Sequence, residues 1–133
     1  MSIIDLTNMA MEDTFEATIL PKGEEAKLRL INIVTGTDKN NEAYMMPFFE
    51  SVDDPYCKEF GDYLPLPNSD MSPKKLNDSK NRINSFLAAF DIDGSKEIVI
   101  EEVRGNEGWA ILGIGTDQSD QPVNKISRYS SGQ

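Results

Sequence analysis

Residues 90–115, "FDIDGSKEIVIEEVRGNEGWAILGIG", decide how the chain is built. Their first part resembles a calcium-binding loop, which takes oxygen ligands at its first, third, fifth and twelfth positions, a glycine at the sixth and an apolar residue at the eighth. Counted from Asp91, the ligand positions hold Asp91, Asp93, Ser95 and Glu102, and Ile98 falls at the eighth. The sixth position is Lys96, a cation where the loop needs a residue free to adopt positive φ. Gly94 comes two residues early. The residues beyond the loop are β-branched and broken by glycine, where a calcium loop would continue into a second helix. The segment therefore reads as a turn at Asp93-Gly94 that carries the chain from a helix into strands. No metal ligand set and no cofactor are expected.

Upstream, "SPKKLNDSKNRINSFLAAF" (72–90) has Ser72 as N-cap and Pro73 at the first helical position. Leu76, Ile83, Phe86 or Leu87, and Phe90 fall on one helical face, leaving Lys74, Lys75, Lys80 and Arg82 as the solvated one. Earlier still, "TFEATIL" (14–20) alternates, with Phe15, Ala17 and Ile19 on one side, and "PKG" supplies a turn. "AKLRLINIV" (26–34) turns Leu28, Leu30 and Val34 inward and Lys27 and Arg29 outward. "YMMPFFESV" (44–52) is a third strand, in which Pro47 implies an edge or a bulge. A short strand is expected near Asp62 to Leu66. Downstream, "KEIVIEEV" (96–103) and "GWAILGIG" (108–115) read as strands joined by the turn at 105–108, followed by a last strand or arm, "VNKISRYS" (123–130).

Short strands, frequent turns and one central helix predict a mostly β fold. The closest match is a small antiparallel OB-like Greek-key barrel with one helix at about residues 73–90 and an extra hairpin or terminal strand. Residues 1–13 read as an N-terminal arm and 14–133 as a single OB-like domain. A sandwich with one covering helix is the rival.

At 133 residues the chain is long enough for a core without staples. The single cysteine, Cys57, excludes disulfides within the chain and fits a reducing cytoplasm. No basic N-terminal segment precedes an apolar stretch, and no apolar run approaches about 18 residues, so neither a signal peptide nor a membrane span is expected. The chain has no histidine, which removes histidine-based acid–base and nucleophilic chemistry and the usual zinc sites. Carboxylates are plentiful, yet their spacing marks no magnesium site; Asp53-Asp54 before Pro55 reads as a solvated turn and Glu101-Glu102 as surface. We expect no enzymatic activity. The net charge of −10 opposes nucleic-acid binding. However, residues 1–66 carry 5 basic and 13 acidic side chains against 8 and 10 in residues 67–133, so a local basic face is compatible with the total.

Four segments together resemble small bacteriophage single-stranded DNA-binding proteins of the OB-fold kind: "LPKGEEAKLRLINI", "DKNNEAYMMPFFESVD", "LNDSKNRINSFLAAFDID" and "EGWAILGIGTDQSDQPVNKISRY". The resemblance spans most of residues 19–129. It implies a non-catalytic protein that coats single-stranded DNA in replication or recombination, in the cytoplasm of an infected bacterium, with phage or host replication proteins as further partners and self-association left open. Many such proteins end in an acidic recruiting tail, whereas this chain ends "NKISRYSSGQ".

Sequence-tolerant binding of single strands needs aromatic faces for bases and a basic track for the backbone. Lys27 and Arg29 share a strand face, Lys39 lies in the next loop, and Tyr44 and Phe48 share a face of the following strand. Lys125, Arg128 and Tyr129 lie near the C-terminus. Phe48 and Phe49 are adjacent, so one of them must point outward. Trp109 is a further binding candidate, with core or platform left open: its alternation with Ile111 along one face suits a core position somewhat better than a stacking platform. The competing function is that of an acidic DNA-mimic inhibitor or adaptor presenting carboxylates at phosphate-like spacing.

Overall fold

The computed structural model describes residues 2–9 and 16–131. It is mostly β, with six antiparallel strands in one open sheet: β1 (Glu25–Thr37), β2 (Ala43–Ser51), β3 (Phe60–Gly61), β4 (Leu64–Pro65), β5 (Glu107–Thr116) and β6 (Pro122–Ser130). The one long helix, α1 (Pro73–Ala89), falls between β4 and β5, and a single helical turn, α2 (Ile100–Val103), precedes β5. The sheet order is β3-β2-β1-β5-β6, with β4 also paired to β2. Three strands in series, followed by a long connection that returns beside the first, make a Greek key. The arrangement is consistent with a small OB-like barrel. Among the described residues no helix is long and apolar enough to cross a membrane.

The helix begins as its sequence predicts, with Ser72 Oγ accepting from Lys75 N at 3.2 Å. Its end resolves the stretch at residue 90. Asp91 takes φ +56°, and Ile92 N donates to Leu87 O at 2.9 Å. This is a Schellman ending with aspartate in the place usually held by glycine. Asn106 Nδ2 donates to Phe90 O at 3.0 Å, satisfying another carbonyl at that end. Asp93 Oδ1 then accepts from the backbone N (2.9 Å) and Oγ (2.6 Å) of Ser95, closing the expected turn. Gly108 makes the next step possible: a Cβ there would lie 2.4 Å from Ala89 O, so only glycine lets β5 start against the helix terminus.

The core lies between the sheet and α1. Leu28, Leu30, Phe49, Leu64, Phe86, Phe90, Ala110 and Leu112 are its fully buried members, with Ile83 and Leu87 packed at its margin. Leu76 is half-buried and lies outside this cluster, so the predicted face extends one turn too far toward the N-terminus. Buried Asn124 on β6 holds residue 20 in place: its Oδ1 accepts from Leu20 N, and its Nδ2 donates to Leu20 O, both at 2.8 Å.

Four further expectations change. Residues 16–20 form no strand, only a bridge from Thr18 to Cys57, because Asn124 and the 56–58 loop take up their backbone groups; Phe15 lies outside the described residues. Val34 is 41% exposed, because a bulge between Leu30 and Asn32 inverts the alternation and turns Ile33 inward. The strand expected at 96–103 is an extended stretch ending in the turn of α2, and Gly105 at φ +91° leads from it into β5. The strand beyond five, expected as an extra hairpin or terminal strand, arises because the outer strand beside β2 is broken into β3 and β4. Pro47 faces that break, where its carbonyl accepts from Asp62 N at 3.0 Å.

Arg82, expected in solvent, crosses from α1 to both edges of the sheet. Its guanidinium donates to Asp62 Oδ1 and Oδ2 (3.1 and 3.2 Å) and to the carbonyls of Ile126 (2.9 Å) and Ser127 (3.0 Å). Lys74, Lys75 and Lys80 are exposed, as expected.

Phe90→Ala should lower stability in urea denaturation by about 3–5 kcal/mol; a loss under about 1 kcal/mol would show that the ring is not a core member. Arg82→Ala should cost about 1–3 kcal/mol, because it strips charge-assisted hydrogen bonds from a nearly buried carboxylate, and an unchanged midpoint would show that the contacts carry no net stability.

Candidate nucleic-acid interface

The period-2 pattern of the strands sorts the predicted residues between two faces. In β2, Met45, Pro47, Phe49 and Ser51 turn inward, leaving Tyr44, Met46, Phe48 and Glu50 on the outer face. In β1, Ala26, Leu28 and Leu30 turn inward, and Lys27 and Arg29 outward. The register sets Arg29 opposite Glu50 and Glu107, Lys27 opposite Trp109, Asn32 opposite Phe48, Val34 opposite Met46 and Gly36 opposite Tyr44. On β6, Arg128 lies opposite Ile111 and Lys125 opposite Gly113.

One end of this face is aromatic. Tyr44 rests on Gly36, where a Cβ would come 3.1 Å from its hydroxyl, and packs against Tyr63 with ring centroids 4.9 Å apart. Tyr63 is 44% exposed and donates its hydroxyl to Asp38 Oδ2 at 3.2 Å. Met46 and Phe48 lie over Gly61, whose missing Cβ would be 2.8 Å from Met46 Cε and 3.0 Å from Phe48 Cε1. Two glycines thus give the outward side chains of β2 room to lie flat, forming a strip of rings and thioether.

Two loops flank the strip, and they are built alike. In the β1–β2 loop, Asp38 Oδ1 accepts from Asn40 N (2.8 Å) and Glu42 N (3.0 Å), with Asn41 at φ +62°. In the β5–β6 loop, Asp117 Oδ1 accepts from Ser119 N (2.9 Å) and Gln121 N (3.0 Å), with Asp120 at φ +62°. The amide of Glu42, above all, holds the Asp38 carboxyl below the usual carboxylate range. For Asp117 the leading cause is Lys58, whose Nζ lies 2.6 Å away. Both loops are therefore held by an aspartate at their start, and in the first Lys39 directly follows Asp38, the residue that accepts the Tyr63 hydroxyl. Between Met46 and Gly61 on one side and Thr116, Gln118 and Lys125 on the other runs an open cleft of about 500 Å³.

The other end of the face is charged but compensated. Arg29 lies between Glu50 (2.9 Å) and Glu107 (3.2 Å), and Lys27 reaches Glu107 at 3.3 Å. These contacts raise the Arg29 pKa, chiefly through Glu50, and lower that of Glu107, chiefly through Lys27. Among the described residues Lys39, Lys125 and Arg128 make no ion pair.

The structure thus gathers Tyr44, Phe48 and Lys39 at one end of the outer face, Lys27, Arg29, Trp109 and Arg128 at the other, and places Lys125 on the cleft. Trp109 is half-buried on the outer face, while Gly108, Ala110 and Leu112 take the inward positions; the core position suggested by its alternation with Ile111 is corrected. Tyr129 is drawn into the core instead. Its ring packs 5.7 Å from Phe86 and 6.2 Å from Phe90, and its hydroxyl donates to Asp62 Oδ2 at 2.6 Å. Burial first, and Asp62 second, push its pKa far above the usual phenol value. Bonded and packed in this way, Tyr129 acts as a structural residue rather than a stacking platform. Sequence reading missed Tyr63, whose partner Tyr44 is distant in the chain, and missed the two Asp-centred loops, which share the spacing D-x-x-(N/D)-x. Among the described residues no group of three or more His, Cys, Asp or Glu side chains is placed to hold a metal ion.

The chain matches no protein-family model. A search of curated proteins likewise gives no match.

Trp109 is the only tryptophan, so its fluorescence reports its position directly. Acrylamide should quench the native emission readily, as for a partly solvated indole; blue-shifted emission that resists quenching would return Trp109 to the core.

Proposed function

We propose that this protein binds single-stranded DNA with little sequence preference and without catalysis, in phage replication or recombination within the infected bacterial cytoplasm. The observation that carries the reading is the outward strip Tyr44, Met46 and Phe48, extended by exposed Tyr63 and flanked by Lys39 and Lys125. Aromatic faces accept bases only when these are unpaired, and each stacked base contributes about 1–3 kcal/mol. A basic track beside the strip neutralises phosphates. The resemblance to small phage single-stranded DNA-binding proteins supports the biological setting, with replication proteins as further partners.

The ion pairs of Lys27 and Arg29 with Glu50 and Glu107 favour a second reading, in which an acidic surface imitates DNA toward a basic partner. Such a mimic binds neither single-stranded nor duplex DNA.

Titration of labelled oligonucleotides of about 30 nucleotides separates the two. Single strands should bind and duplexes should bind much more weakly, with a log–log salt slope of about −2 to −3.5 for three to five neutralised phosphates. Tyr44→Ala and Phe48→Ala should weaken binding by about 1–3 kcal/mol each at both low and high salt. Lys39→Ala and Lys125→Ala should each flatten the slope by about 0.7, and Arg29→Ala by less, because its carboxylate partners already balance it. Absence of binding at low salt and micromolar protein would refute the proposal in favour of the mimic.

A further inference from the structure

Among the described residues, two open apolar surfaces lie apart from the outer strip. The first is the N-terminal segment, where Ile3 (80%), Ile4 (85%), Leu6 (49%) and Met9 (64%) are exposed within seven residues. Its fold is local: Asp5 Oδ1 accepts from Thr7 N and Oγ1 at 3.0 and 2.7 Å, and Met9 N donates to Leu6 O at 3.0 Å, which leaves the apolar side chains pointing away from any core. The second is a groove of about 390 Å³ between α1, β4 and the loop after Gly94, walled by Met45, Leu66, Ile83, Leu87 and Ile98 with Lys80 among its lining residues.

We infer that the N-terminal segment of one copy docks in this groove of a second copy. Consecutive large apolar residues kept in water are unfavourable, each giving back a sizeable transfer free energy once covered. The groove offers aliphatic walls of the matching chemistry. The charges also match, because residues 1–13 carry Asp5, Glu12 and Asp13 with no Lys or Arg, and the groove's cation is Lys80. Among the described residues nothing of the same molecule covers either the segment or the groove, and a second copy would supply each with its partner. It is heterologous, joining two different patches, and adds copies in series unless the exchange is reciprocal.

Sedimentation velocity on the full chain without nucleic acid tests the inference, and its outcome does not depend on whether DNA binds. From low to several hundred micromolar, the weight-average mass should rise above the 14.9 kDa of one chain. Ile3→Asp combined with Ile4→Asp alters only exposed positions and should weaken association about tenfold or more. Lys80→Glu should also weaken it, and adding Asp5→Lys to Lys80→Glu should restore it. A constant monomer mass would overturn the inference, as would association unchanged by the Ile3/Ile4 variant. Insensitivity to Lys80→Glu, or a charge swap no stronger than Lys80→Glu alone, would overturn the choice of groove.

Discussion

The carboxylate of Asp62 holds the two edges of the sheet to the helix. The backbone ladder runs β3-β2-β1-β5-β6 and ends on both sides, so hydrogen-bonded pairing alone leaves the sheet open. Asp62 follows β3 directly. It receives the Tyr129 hydroxyl from β6 at 2.6 Å and the Arg82 guanidinium from α1 at about 3.1 Å, with only 12% of its side chain exposed. Arg82 also takes two β6 carbonyls and lies 5.3 Å from the Tyr129 ring centroid. Charge-assisted hydrogen bonds from a fork-shaped donor and a phenol fix direction as well as distance. Below them Phe49, Phe86, Phe90 and Tyr129 form one ring cluster, with centroids 5.1 to 6.4 Å apart. The apolar cluster supplies most of the stabilisation, and the clasp specifies which strand edges meet.

That closure divides the labour between faces. With α1 sealing the inner side, every inward position of β1, β2 and β5 is committed to packing, and chemistry is confined to the outer one. There the sequence places rings at one end and compensated charges at the other. Pairing Arg29 with two glutamates limits the electrostatic attraction for a polyanion, so the proposed binding of DNA would draw more on stacking than on counterion release. A chain of net charge −10 that bound DNA in this way would need unpaired cations such as Lys39 and Lys125 close to the rings.

Local chemistry made much of this legible before the structure. Ser72-Pro73 announced the helix start, Asp93-Gly94 the turn, and the alternation in 26–30 and 44–51 the two central strands with Lys27, Arg29, Tyr44 and Phe48 outward. What failed did so for reasons of tertiary packing. A bulge at residue 31 exchanged Val34 for Ile33, and no periodicity announces a bulge. The β-branched run 98–100 looked like strand, but it joins no ladder and runs directly into the turn of α2. Arg82 and Tyr129 carried the signature of surface residues, because an ion pair between segments 20 positions apart leaves no trace in either segment. Trp109 stayed open between core and platform because alternation names two faces without saying which one the helix covers.

Amide chemical-shift mapping during titration with a short single-stranded oligonucleotide tests the central claim most directly, because it reports which face is used. The account predicts that shifts concentrate on Tyr44 to Phe48, Tyr63, Lys39 and Lys125, while the exposed side of α1 around Lys74 and Lys75 stays unchanged. Shifts confined to the helix, or none at all at concentrations that saturate binding, would contradict it.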